Sequence, residues 1–254
     1  MSARVAWLTT APIRGTALAR RDEIMLETWG VADNRRFYLV DARGRRFTLT
    51  RCGELARAAA AYDPETERLE VRFEGGEVVD GAVELDGPIR TQFYGGRTVT
   101  GRIVVGPWAE AFSELAGRGL RLVKLDRPGQ AHRPELAASL VSEASLAALS
   151  RAAGKPVDAR RFRMLIGIDG VAEHEEDEWI GRHVRVGDAV IAPSDHDARC
   201  MITTRNPDSG VVDLETLHLI KSYRGLRDGD LDFGVVAAVV EPGRVRVGDA
   251  VAVM

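Results

Sequence analysis

Short apolar runs broken by glycine dominate this chain. Residues 5–8, 36–41, 68–73, 78–85, 98–105 and 120–125 each read as a strand, and glycine, proline or polar residues separate them. Such spacing leaves little room for long helices. It predicts an α+β, β-rich fold with a few short helices, the first half curled into a small β-barrel or rolled sheet.

Local signals fill in this outline. Residues 23–29 alternate loosely and are a further strand candidate. Residues 36–41 and 45–50 flank Ala42-Arg43-Gly44 as a hairpin, with Gly44 suited to positive φ. Residues 51–62 are alanine-rich and are expected to be helical up to Pro64. A helix is expected over 108–115, with Gly117 as its C-terminal cap.

The run RPGQAHR at 127–133 breaks the composition. It divides the chain into a first domain over 1–125 and a second over 126–254. In the second, Ser142 can N-cap a helix that stops at Gly154, burying Leu146 and Leu149. Residues 163–168 read as an apolar strand. The acidic run 172–178 is expected to be solvated, with His174 a surface charge. VRVGDAV occurs at 184–190 and again at 245–251. Each copy reads as a hairpin, a repeated local solution because the flanking sequences differ.

Composition excludes several classes. The net charge is −3, and the arginines are mixed with acids, so no nucleic acid is expected as a partner. No apolar run approaches membrane-spanning length, so no membrane is expected either. The opening MSARVAWLTTAPIRG has no long apolar core, which points to a cytoplasmic protein with reduced thiols. The 2 cysteines can neither scaffold a disulfide-rich fold nor hold a cysteine-ligated iron–sulfur cluster. Redox chemistry would therefore draw electrons from another protein.

The densest chemistry lies over 195–225, DHDARCMITTRNPDSGVVDLETLHLIKSYRG. Cys200 follows Arg199 at the end of an expected strand that continues through 201–204. A turn follows over 206–210, then a helix over 214–223 capped by Asp213. Three readings of Cys200 stand side by side. It is a buried core thiol; or a zinc ligand with His196 and Asp195 or Asp197, at a spacing that matches no common zinc pattern; or the thiolate for a soft metal held mainly by a cofactor, which needs one protein ligand.

This stretch resembles the signature of MOSC-domain proteins, named for the C-terminal domain of molybdenum cofactor sulfurase. The carrying residues are Asp197-x-Arg199-Cys200, Thr203-Thr204, Asn206-Pro207-x-x-Gly210 and Leu217-x-x-x-Lys221-Ser222-Tyr223-Arg224. Pro12-Ile13-Arg14-Gly15 and 33–37, DNRRF, resemble the β-barrel domain that precedes MOSC in amidoxime-reducing components and their bacterial relatives. The resemblance implies a MOSC β-barrel domain packed on that N-terminal domain. It also implies a molybdenum cofactor (molybdopterin) with Cys200 as metal ligand and catalytic residue. Basic and polar side chains at Arg14, Arg36, Ser145, Arg163, Arg199 and Tyr223 would bind the cofactor. Two departures stand out: Gly15, where relatives carry serine, and Met164-Leu165, where they carry Pro-Asn.

The implied activity is a molybdenum-dependent oxidoreductase. It would reduce a small N-hydroxylated substrate with electrons from a ferredoxin or flavoprotein. Two other functions remain open on sequence: a persulfide-carrying sulfur-transfer protein using Cys200, and a non-catalytic cofactor- or anion-binding module. The desulfurase domain of fused relatives is not in this sequence, so pyridoxal phosphate is not expected.

Overall fold

The structure is a computed structural model and describes residues 2–254. Strands predominate, with three α-helices, Trp108–Ala116, Glu143–Ala153 and Thr216–Arg224. The largest sheet has eight strands. In order they are Val251–Val253, Val184–Val186, Ala189–Ala198, Asp232–Glu241, Ala138–Ser142, Ile166–Asp169, Arg4–Thr10 and Ala19–Arg21. Strands from both sides of residue 125 thus share one sheet. Glu23–Leu26 also pairs with Gly243–Arg246, stitching the start of the chain to its end. One pair, Ala138–Ser142 with Ile166–Asp169, is parallel. The crossover it requires carries the helix Glu143–Ala153. Ser142 caps that helix by accepting from the Ser145 backbone N–H, and Gly154 ends it in the left-handed conformation. Leu146 and Leu149 are buried beneath it.

The first half encloses a second core. A five-stranded sheet runs Arg46–Phe47, Phe37–Asp41, Leu120–Leu125, Thr98–Val105 and Glu84–Gln92. A three-stranded sheet, Ala59–Asp63, Arg68–Arg72 and Val78–Ala82, shares with it a core that includes Phe37, Tyr62, Leu69, Trp108 and Phe112. The expected hairpin forms, with Leu39 opposite Phe47 and Gly44 at φ 73.

Several local expectations are overturned. The alanine-rich run 51–62 is not an α-helix but a 3-10 turn, Gly53–Arg57, and then the strand Ala59–Asp63. Ala60 and Tyr62 alternate into the core there, and that burial outweighs alanine's helix propensity. Residues 78–85 split into Val78–Ala82 and the longer strand Glu84–Gln92. The strand expected from 163 begins only at Ile166. The second VRVGDAV copy is not a hairpin. Its first strand pairs with Glu23–Leu26 and its last with Val184–Val186. The acidic run is not fully solvated, because Glu176 is buried.

The seam between the halves is built on the turn 206–210. Asn206 Oδ1 accepts from the backbone N–H groups of Asp208 and Ser209, at 2.9 and 3.0 Å. Arg57 Nε donates to Ser209 O at 3.2 Å, and Arg205 donates to Thr50 O at 3.2 Å. Gly210 has φ 74, and a Cβ there would lie 1.9 Å from Gly53 O. Gly210→Ala should therefore cost roughly 2–4 kcal/mol in urea unfolding. Gly229→Ala, at φ 92 with nothing within 4 Å of a Cβ, should cost less, through backbone strain alone. Equal losses would remove the seam from the explanation.

Candidate functional site

Cys200 is an exposed thiol at the end of the strand Ala189–Ala198. The chain does not continue as a strand; Met201–Thr204 is a 3-10 turn with Cys200 as its N-cap. Thr203 makes that turn. Its backbone N–H and its hydroxyl both donate to Cys200 O, at 3.1 and 3.0 Å, and its hydroxyl also meets that of Thr216 at 2.7 Å. Asp213 does not cap the following helix, whose N-cap is Glu215. It pairs with Arg161 at 2.7 Å instead.

Arg199 holds Cys200 from the other side. Its side chain is 7% exposed and pairs with Asp197 at 2.8 Å. Nε donates to Phe233 O at 2.8 Å and Nη1 to Phe162 O at 2.9 Å. The guanidinium also lies over the Phe162 ring, 5.5 Å from its centroid. Arg199 is thus a strut that ties the Cys200 loop to the segments on either side of Arg163 and Gly234. Burial first, against the charges of Arg199 and Arg35, raises the Asp197 carboxyl.

A group of cations faces the thiol. Two loops of the first half are zipped together: Arg35 N–H donates to Ala11 O, Arg14 N–H to Phe37 O and Phe37 N–H to Pro12 O, at 2.8, 2.8 and 2.9 Å. This brings Arg14 and Arg35 into one cleft. Arg163 enters from the second half, its backbone left-handed at φ 55. Arg35 Nη2 donates to Arg163 O at 3.2 Å and Arg163 Nη2 to Thr16 O at 2.8 Å. Burial lowers Arg14 to about 9, helped by the charges of Arg35, Arg46 and Arg163; the charge of Cys200 acts the other way. Burial, then Arg35, lowers Arg163 to about 9. Arg14 Nη1 is buried and has no hydrogen-bond partner. No carboxylate lies within ion-pair distance of these arginines among the described residues. A buried, unpartnered donor among unneutralised cations fits an anionic ligand.

The structure brings together Cys200, Arg14 and Arg163, and moves the other expected residues elsewhere. Arg36 turns away from this cleft. Its Nη1 donates to Leu125 O at 2.6 Å, on the side of Tyr62, whereas its neighbour Arg35 enters the cleft. Ser145 is engaged elsewhere. Its buried hydroxyl meets Ser142 at 2.7 Å, donates to Glu176 at 2.8 Å and accepts from His174 N–H at 2.9 Å, so nothing is left for a cofactor. Tyr223 meets His174 Nε2 at 3.2 Å, and Arg224 meets His174 Nδ1 at 3.0 Å. His174 is therefore no surface charge, and burial followed by the charge of Arg224 lowers its pKa. Arg199 belongs to the site as the strut described above.

Sequence reading missed Arg35, Arg46 and His132. The only available signal for Arg35 was its adjacency to Arg36 in an extended segment, where one residue's shift reverses the face. His132 sits in the run taken as a composition break, and burial lowers it to about 4, with Arg35, Arg14 and Arg97 adding to the effect.

The fold and this cleft together define a two-part MOSC protein. Residues 2–100 match the MOSC N-terminal beta barrel domain and residues 128–252 match the MOSC domain, so the chain belongs to the MOSC-domain family. Among its relatives is the mouse mitochondrial amidoxime-reducing component 1, 39% identical over 121 residues, which are 44% of this chain and 35% of that protein. The human protein of the same name is 35% identical over 120 residues, again 44% and 35%. A molybdenum cofactor sulfurase from rice (Oryza sativa subsp. japonica) is 35% identical over 83 residues, 32% of this chain and 10% of that protein. The match thus spans about a third of the amidoxime-reducing components. Among solved structures, the YuaD protein from Bacillus subtilis superposes with a TM-score of 0.47 at 13% identity, over 99% of this chain and 94% of that one. No helix among the described residues is long and apolar enough to cross a membrane.

Two measurements check this geometry. Arg199→Ala leaves a half-buried Asp197 beside an empty position and should cost about 1–3 kcal/mol in urea unfolding. His132 binds its proton near 6.5 when unfolded and near 4 when folded. The unfolded state therefore holds more protons between those values, and stability should fall as pH drops from 6.5 through 4. In His132→Gln the decline of Tm over that window should be shallower than in the parent.

Proposed function

We propose that this protein is a molybdenum-cofactor oxidoreductase acting on small N-hydroxylated compounds. The observation that carries the reading is the exposed Cys200 thiol beside half-buried arginines that have no carboxylate within ion-pair distance among the described residues, one of them with a buried, unpartnered Nη1. An anionic phosphopterin supplies what these arginines lack, and a metal on its dithiolene supplies what one lone thiolate can ligate. The names of the amidoxime-reducing relatives support the substrate class.

In this reading Cys200 is the protein ligand to the metal. Arg14, Arg35 and Arg163 hold the cofactor's polar and anionic groups by charge-assisted hydrogen bonds. Arg199 and Thr203 fix the Cys200 backbone, so the sulfur is presented without a search of conformations. The bound cofactor supplies the two-electron chemistry. Overall, R–NHOH takes up two electrons and two protons and leaves as R–NH2 and water. A separate ferredoxin or flavoprotein provides the electrons. Cys200 is exposed, so a small molecule can approach its sulfur.

Protein made in a cofactor-producing host should contain near-stoichiometric molybdenum and a fluorescent pterin after oxidation. Cys200→Ala should lower molybdenum by more than about tenfold while leaving the fold intact, because the side chain lies at the surface. Metal-free parent protein from that host would defeat the proposal. Cyanide-releasable sulfur on such protein would point to sulfur transfer.

A further inference from the structure

Arg46 lies outside every motif that ties this chain to its family, yet it reaches the cleft. It stands on the short strand Arg46–Phe47 and is half-buried, with no carboxylate within ion-pair distance among the described residues. Its Cζ is 4.8 Å from the centroid of the Phe93 ring, and the Cζ of Arg14 is 5.7 Å from the same centroid. Phe93 is buried and is itself fixed edge-on against Tyr38, with centroids 5.1 Å apart. Tyr38 is held in turn through its hydroxyl, which meets that of Thr91 at 3.2 Å. One rigid aromatic ring therefore positions two guanidiniums whose charges repel each other. Cation–π contact steers each guanidinium but does not neutralise it. The buried Nη1 of Arg14 still lacks an acceptor.

We infer that Arg14 and Arg46, pinned on Phe93, form a clamp for a phosphate group. Guanidinium forks match phosphate oxygens in shape, and two of them balance a phosphate dianion. As an account of how the cofactor's phosphate is held, the clamp rests on the function proposed above. As an anion site it needs no metal. Arg46 is the specific addition, because it brings a second guanidinium to the ring that holds Arg14.

Inorganic phosphate is the probe, titrated calorimetrically at constant ionic strength into protein from a host that lacks the cofactor. The parent should bind it saturably. Arg46→Gln should weaken binding by roughly 10- to 100-fold. Phe93→Leu keeps both charges but frees them, and should also weaken it. Arg72→Gln, at an exposed position on a strand of the first half, should bind like the parent. Absence of saturable binding in the parent, or parent-like affinity in Arg46→Gln, overturns the clamp. If Arg46→Gln fails to fold, Phe93→Leu decides alone, and unchanged affinity there overturns the clamp as well. Molybdenum content is read separately. Phosphate binding that follows this pattern in a protein unable to load molybdenum would sink the oxidoreductase and spare the clamp.

Discussion

Arg35, Arg46 and Arg163 each disfavour the charge on Arg14, so their convergence is opposed by Coulomb repulsion as well as by burial. The rest of the fold supplies the opposing constraint. Backbone hydrogen bonds zip the loop around Arg14 to the loop around Arg35, and carbonyls of Thr16 and Arg163 receive two of the guanidiniums. The eight-stranded sheet draws the N-terminal strand beside Ile166–Asp169, which sets Arg163 against the first half. Without that stitching nothing would hold like charges together. With it, the cleft is stored as a preformed demand for negative charge.

Much of the signature around Cys200 is scaffolding for this demand. Thr203 folds the chain under the cysteine, Asn206 and Gly210 seat the turn on the first half, and Arg199 braces the loop on Phe162 and Phe233. Polar residues in a binding motif need not touch the ligand. Buried and multiply bonded groups such as Ser145 hold geometry, whereas the unpartnered Nη1 of Arg14 marks a place for something else.

The strand-rich architecture was legible in the sequence because glycine and proline punctuate apolar runs at strand length. Helix caps at Ser142, Gly117 and Gly154 were legible for the same local reason. The run 51–62 was not, because alanine favours a helix locally while the core beneath Ala60 and Tyr62 demands a strand. The second VRVGDAV run was not, because its partner strand lies near the opposite end of the sequence. The motifs drew attention to Cys200, Arg14 and Arg163, which the structure places around one cleft. Residue type and spacing do not reveal that Arg35, rather than its neighbour Arg36, turns toward Arg163.

Local chemistry in the sequence determined the strand content, the caps and the thiol that the cleft presents. Tertiary structure decided which cations meet that thiol and which groups are consumed in bracing it. Caps and turns depend on residues a few positions apart, so sequence order carries them. The pairing of Arg14 with Arg46 over Phe93 depends on three segments that meet only once the sheets have formed.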